Sequence, residues 1–128
     1  MNQLQATIKT IKNIENLHAL ELSFGKQCIH MLTLELNPKF TTGSVVKIRV
    51  KSTDIAIAKE FLGELSFSNQ LDAQITHVTN GEILSSVRIE VEGFKLESIV
   101  SKEASLNMQL KKGDDIKVLI QASEISIC

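Results

Sequence analysis

Residues 69–75 read Asn-Gln-Leu-Asp-Ala-Gln-Ile, and residues 2–8 read Asn-Gln-Leu-Gln-Ala-Thr-Ile. Five of these seven positions are identical, and the two stretches stand at the start of the chain and just past its middle. The ends of the two halves also agree, because residues 43–57 and 113–127 share a Gly, a Lys and two Ile and include exchanges of Val for Ile, Thr for Ser and Asp for Glu in phase along the run. This recurrence indicates two copies of one structural unit.

The composition is that of an ordinary soluble globular protein. The chain has 128 residues, of which 43% are hydrophobic and 23% are charged. Each copy of the repeat has roughly sixty residues, which gives only a marginal hydrophobic core. We therefore expect the two copies to pack together, or several chains to associate.

Charge and hydropathy exclude several classes of function. The net charge is −1 and there is no basic block, which argues against a DNA-binding protein because polyanions require many Lys and Arg. No apolar run is long enough to span a bilayer, and the alternating first residues do not resemble a signal peptide. We expect a cytoplasmic protein that does not insert into membranes.

The residues that most often form metal or catalytic sites do not form a recognisable pattern. Cys28 and Cys128 are too far apart for a zinc or redox motif, and the three histidines lack metal-ligand spacing. No nucleophile and base can be paired from their order in the chain. We therefore expect neither a bare metal cation nor an enzyme.

Apolar and polar residues alternate with the period of half-buried strands. The alternation covers residues 4–8, 20–24 and 46–50 in the first half, and residues 71–75, 87–91 and 116–120 in the second. Return strands are expected at 28–32 and 96–100, and closing strands at 55–57 and 125–127. Residues 103–110 are the best helix candidate, with Gly113 after them, whereas Pro38 restricts the matching segment of the first half to about one turn.

This order predicts an all-β protein of two tandem five-stranded barrels like the oligonucleotide/oligosaccharide-binding (OB) fold, each with one short helix. The first barrel is expected over residues 1–58 and the second over residues 68–128. The connecting residues 59–67 include Phe61 and Leu62 and are too apolar for a free linker, so we expect them to pack against the protein.

The opening Asn-Gln-Leu-x-Ala-x-Ile and the closing Lys-Ser-Thr-Asp-Ile of residues 51–55 resemble the Mop/TOBE family of molybdate-binding domains in its tandem form. The resemblance covers nearly the whole chain. It implies that molybdate or tungstate binds between units or between chains, in molybdenum transport, storage or homeostasis. It also implies a homo-oligomer, for which we expect a trimer rather than a dimer, and components of a molybdate transporter as further partners.

The chemistry of the anion fits the closing motif. Molybdate is a tetrahedral dianion whose oxygens only accept hydrogen bonds, so its site must supply N–H groups, hydroxyls and at least one cation. Lys51, Ser52 and Thr53 offer such donors in one stretch. The resemblance adds a hydroxyl after the third strand, which falls on Thr33 in the first half and on Ser101 in the second.

The chain departs from the family at the opening motif, Ser-Ala-Arg-Asn. The chain begins at Met1, before Asn2, and in the second half Ser66 matches the motif's serine while Ser68 replaces its arginine. The closing lysine is Gln121 in the second half. A site would have to combine Lys51 with Ser66, Ser68 and Asn69, or use the N-terminal ammonium of Met1, so weaker or fewer sites are expected. The candidate oxyanion-binding residues are Met1, Asn2, Thr33, Lys51, Ser52, Thr53, Ser66, Ser68, Asn69, Ser101 and Ser123.

Each candidate also has a structural interpretation. Lys51 can be a solvated lysine at a strand end, Asn2 and Asn69 can shape the backbone, and Thr33 and Ser101 can bond backbone groups at strand exits. At the level of the whole protein, the alternative is a regulatory or assembly module of a molybdate transporter ATPase that has lost its anion site. A nucleic-acid-binding barrel is disfavoured because stacking requires exposed aromatic rings on a basic groove.

Overall fold

A computed structural model of the protein describes residues 2–128, and nearly all of its regular structure is β. The strands are β1 Asn2–Ile14, β2 Leu17–Phe24, β3 Gln27–Thr33, β4 Val45–Val50, β5 Ala56–Ala58, β6 Asn69–Asn80, β7 Leu84–Val91, β8 Phe94–Ser101, β9 Asp115–Ile120 and β10 Ser126–Ile127. One helix, α1, spans Lys102–Asn107, and 3-10 turns span Ser52–Asp54 and Ala122–Glu124. The predicted all-β architecture of two five-stranded OB-like barrels is confirmed.

The strands form where apolar residues recur at every second position. In β1, Leu4, Ala6 and Ile8 are buried while the residues between them face outward. The same pattern repeats in β4, where Val46, Ile48 and Val50 are buried. Burial of one face of each strand fixes its register, because a slip by one residue would bring polar side chains into the core.

The two halves are structurally equivalent copies, as the repeat predicts. β1 pairs with β2 and β4, and β6 pairs with β7 and β9 in the same antiparallel arrangement. A β-bulge interrupts the first ladder between Ile8 and Thr10 and the second between Ile75 and His77. Ile8 and Ile75 are matching positions of the repeat, so the bend of the barrel wall is duplicated along with the sequence.

The last strand of each half, however, belongs to the sheet of the other half. The first sheet has the order β10-β4-β1-β2-β3 and the second has the order β5-β9-β6-β7-β8. Thus Ser126 of β10 pairs with Arg49 of β4, and Ile57 of β5 pairs with Val118 of β9. The sequence units 1–58 and 68–128 therefore differ from the two sheets by one exchanged strand each.

The loop before the fourth strand differs between the halves. In the second half it contains α1, whose N-terminus is capped by the Ser101 hydroxyl, which accepts a hydrogen bond from the Ala104 amide at 3.0 Å. The helix ends at Asn107, earlier than the expected Leu110. In the first half the expected short helix is absent, and residues 34–44 contain only turns and irregular segments around Pro38, which cannot donate a helical hydrogen bond.

The connection between the halves is attached to the second barrel through Lys59. Its ammonium donates to the carbonyls of Met108 and Gln109, both at 3.0 Å, and lies 3.0 Å from an Asp114 carboxylate oxygen. Further along the connection, Leu62 is 96% exposed. The limits proposed for the packed linker, residues 59–67, stay a prediction. Within residues 2–128, no helix has the length and hydropathy needed to cross a membrane.

Candidate functional site

The closing motif of the first half divides its side chains between two directions. Lys51 follows β4 directly and continues its outward-facing row, so its side chain is exposed. Ser52 begins the 3-10 turn and is buried at 7% exposure, whereas Thr53 is exposed. Of the three donors expected to act together, Lys51 and Ser52 therefore face different surroundings.

Lys51 shares a cavity with Ser123 of the other half. This cavity has a volume of about 360 Å³, and we call it the seam cavity; it is lined by Arg49, Val50, Lys51, Asp54, Ser123, Glu124, Ile125 and Ser126. Residues of the two halves meet in this cavity because β10 pairs with the edge of β4. This pairing brings the 3-10 turn Ala122–Glu124, which directly precedes β10, to the end of the first sheet. Two predicted candidates, far apart in sequence, are thus brought together by strand exchange.

The seam cavity contains charges of both signs. Arg49 and Lys51 contribute two cations, and Asp54 and Glu124 contribute two carboxylates. Within residues 2–128, no carboxylate oxygen lies within 4.0 Å of the nitrogens of Arg49 or Lys51. The cations are therefore not neutralised by direct ion pairs, the Ser126 hydroxyl lies 3.3 Å from Nε of Arg49, and Ser123 lines the same cavity.

Ser52 belongs to a second polar cluster, which contains a carboxylate. Its hydroxyl donates to Oε1 of Glu97 at 3.2 Å, and the Ser86 hydroxyl donates to Oε2 at 2.7 Å. The bond from Ser86, opposed by partial burial and reinforced by Ser52 and the charge of Arg88, lowers the pKa of Glu97. The carboxylate therefore uses the hydroxyl that was expected to bind an external anion.

Asn2 and Asn69 join the two barrels by binding the backbone of edge strands. The Asn69 amide accepts from the His30 N–H at 2.7 Å and donates to the His30 carbonyl at 2.8 Å. Asn2 likewise accepts from the Glu97 N–H at 2.7 Å and donates to the Glu97 carbonyl at 2.9 Å. His30 and Glu97 are matching positions of β3 and β8, so the two amides are related by the repeat and have a structural role.

Thr33 and Ser101 make local backbone contacts. The Thr33 hydroxyl donates to the Glu35 carbonyl at 2.9 Å and accepts from the Glu35 N–H at 3.3 Å. The Ser101 hydroxyl caps the N-terminus of α1 by accepting a hydrogen bond from the Ala104 amide. Neither residue lines the seam cavity.

Of the remaining candidates, the two serines that precede Asn69 do not share the cavity of Lys51. Ser66 and Ser68 are exposed in the segment before Asn69, and neither of them lines the seam cavity. The candidate Met1 lies outside the described residues. The anion contacts proposed for these residues stay predictions.

Residues 65–127, from the end of the connection to the last strand, match the TOBE domain family. The second half of this chain is therefore similar to a TOBE domain. The equivalent strand pairings and bulges of the first half show that it has the same architecture as the second half.

Solved structures extend the likeness to the whole chain. The cytoplasmic molybdate-binding protein ModG, in a crystal form with molybdate bound, superposes with a TM-score of 0.92 at 21% identity, covering 98% of this chain and 94% of that one. A molybdate-binding protein from Sporomusa ovata superposes with a TM-score of 0.50 at 20% identity, covering 52% of this chain and 98% of that one. At these identities the likeness shows a shared fold. None of the curated proteins matches the sequence.

Sequence reasoning did not identify Arg49, Ser126 or Glu97. Arg49 precedes Lys51 by two positions in an alternating strand, so its place on the same face could have been inferred. Ser126 and Glu97 gave no such signal, because their positions beside the first half depend on strand exchange and on the packing of the barrels.

Proposed function

We propose that this protein binds a tetrahedral oxyanion, molybdate or tungstate, in the seam cavity between its halves. The observation that carries the proposal is the meeting of Lys51 and Ser123 in one cavity of a tandem barrel whose fold is that of a molybdate-binding protein. The protein would act in the cytoplasm, in molybdenum transport, storage or homeostasis, and would catalyse no reaction.

The donors of the seam cavity suit such an anion. The Lys51 ammonium supplies a mobile point charge with three donors, and the Ser123 hydroxyl can rotate toward whichever oxygen is near. Asp54 and Glu124 oppose the charge of the ligand, so moderate affinity is expected from one cavity alone.

Exposed apolar side chains support assembly into a homo-oligomer. Ile14, Leu34, Ile83 and Leu106 are all more than half exposed. Ile14 and Leu34 lie near the ends of β1 and β3 in the first barrel, and Ile83 lies beside α1 in the second. Exposed apolar side chains that form a contiguous patch mark protein–protein contacts. We propose a trimer rather than a dimer, with further anion sites where subunits meet.

Analytical ultracentrifugation tests the assembly. The wild-type chain is expected to sediment as an oligomer, and the double variant Leu34→Glu/Ile83→Glu as a smaller species, because buried charges oppose association. A wild-type protein that remains monomeric up to millimolar concentration would exclude the oligomer.

Calorimetric titration tests the anion site. Molybdate and tungstate are expected to release or absorb heat on binding, with sulfate as the control anion. Lys51→Gln should abolish binding at the seam, whereas Lys112→Gln, at an exposed loop position, should not change it. Lys51→Gln is well suited because the second half already carries glutamine at the matching position, Gln121.

The second candidate function is a regulatory or assembly module that contacts a molybdate transporter ATPase without binding the anion. The observation that favours it is the pair of carboxylates in the seam cavity, which balances the formal charge of Arg49 and Lys51. Absence of heat with molybdate up to millimolar concentration would support this function, together with binding of the chain to the ATPase in a pull-down with purified components.

A further inference from the structure

Arg49 and Lys51 form a pair of cations on one face of β4. Burial alternates along this strand, so residues 47, 49 and 51 face outward while Ile48 and Val50 face the core. Two positions along a strand correspond to about 7 Å. Both side chains line the seam cavity, and this spacing allows one small anion to lie between their charged ends.

We propose that Arg49 is a second anion-binding cation of the seam cavity, whose guanidinium binds two oxygens of the oxyanion while Lys51 binds a third. This inference rests on the proposed function and assigns a residue to its site. A guanidinium matches two oxygens of a tetrahedral anion through parallel N–H bonds, which a lysine cannot do.

The contacts of Arg49 leave it available for this role. Its Nε lies 3.3 Å from the Ser126 hydroxyl, a contact that orients the guanidinium along the wall of the cavity. A guanidinium has five N–H donors, so the terminal nitrogens retain four for a ligand. Within residues 2–128, no other hydrogen bond and no ion pair of the Arg49 side chain is present.

The cation pair makes the two halves unequal. The positions that match Arg49 and Lys51 in the second half are Leu119 and Gln121, neither of which carries a charge. Ser126, which orients Arg49, comes from the second half through the exchanged strand β10. We therefore infer that each chain has one seam site of this kind rather than two related by the repeat.

Titration of charge-matched variants with molybdate tests the inference. Arg49→Gln should weaken binding by roughly tenfold or more, the usual effect of losing hydrogen bonds from a charged donor. Arg49→Lys keeps the charge but not the paired donors, so its affinity should fall between those of the wild type and Arg49→Gln. Lys47→Gln is the control, because it removes one outward-facing charge from the same strand outside the cavity.

A variant that removes a negative charge, and should therefore strengthen binding, provides a second measurement. Glu124→Gln removes a carboxylate from the cavity and should strengthen binding several-fold, because a dianion is repelled by a nearby like charge. Thermal melts of all variants check that the exposed substitutions leave the fold intact.

The outcomes separate this inference from the proposed function. If molybdate binds and Lys51→Gln abolishes binding, but Arg49→Gln behaves like Lys47→Gln, the oxyanion site stands and the role of Arg49 is wrong. If the wild-type chain binds no molybdate, the proposed function fails and the inference fails with it. Two equivalent seam sites per chain would also overturn the inference.

Discussion

The Asn69 side chain replaces a short length of β-ladder between the two barrels. It is 1% exposed, and its amide satisfies both backbone groups of His30 on the edge strand β3. Asn69→Ala would leave these groups without partners, and we expect a loss of about 2 to 4 kcal/mol in the free energy of unfolding. Urea denaturation measures the loss. Asn13→Ala, on the exposed end of β1, is the control and should change stability little.

Glu97 makes part of the stability depend on pH. Its pKa lies below the ordinary value of 4.5 because Ser86 and Ser52 donate to the charged carboxylate. A group whose pKa is lower in the folded state stabilises the fold fully above the ordinary value, and this contribution is lost as the pH falls through the lowered pKa. Glu97→Gln should therefore reduce the loss of stability as the pH falls below the ordinary pKa of 4.5.

Urea denaturation across this range measures the effect. Asp114 provides the comparison. Burial raises its pKa, but the hydrogen bonds and charges of Lys59 and Lys111 outweigh burial, so the net pKa is lowered. Its contribution to stability is therefore still lost at acid pH in the Glu97→Gln variant. An identical pH dependence in wild type and variant would contradict the role given to Glu97.

The identity of the site residues could be only partly predicted at this scale. The closing motif and the repeat predicted Lys51 and Ser123 as candidates, and both line the seam cavity. It did not reveal that Ser52 turns inward to a carboxylate, because adjacent residues at a strand end can face opposite sides. The amide roles of Asn2 and Asn69 agree with the structural interpretation of these residues, which requires only that their side chains bind backbone.

Among the elements, the exchanged strand β10 covers the edge of β4. It pairs with β4 through Ser126 and Ile127, and the Cys128 amide donates to the Lys47 carbonyl at 2.8 Å. Removing residues 126–128 should expose the edge of β4 in the first sheet while leaving β9 protected. Hydrogen exchange should accordingly increase at residues 45–50 and remain slow at residues 115–120.

Loss of protection at residues 115–120, with residues 45–50 unchanged, would contradict this assignment of the strand. The matched control is Glu124→Ala, which changes an exposed side chain just before β10 and leaves its backbone bonds in place.

Strand positions were predictable, but strand partners were not. The alternation of apolar residues identified the long strands, because burial of one face imposes a period of two. Ile55 and Ile57 have the same local pattern whichever sheet they join, so exchange left no trace in the sequence. The loop before β4 also differed from its counterpart because Pro38 is present in only one half.

At the scale of the molecule, the exchanged strands hold the halves together independently of the connecting peptide. Each sheet contains one strand from the other half, and side-chain amides join β3 and β8 to the opposite barrel. Cleavage at a protease site engineered between Leu62 and Gly63 should therefore yield two fragments that elute together in size-exclusion chromatography. Separate elution without denaturant would contradict this prediction.

The exchange of β5 and β10 also determines the order in which the two barrels can close during synthesis. The first sheet needs residues 126 and 127 to complete its edge, so that barrel cannot close before the second half has been synthesised. The emerging N-terminal half has no strand of its own to cover β4, whereas the C-terminal half finds β5 already made. The C-terminal barrel can therefore close without waiting for a later strand, and the N-terminal barrel is completed only after β10 has emerged from the ribosome.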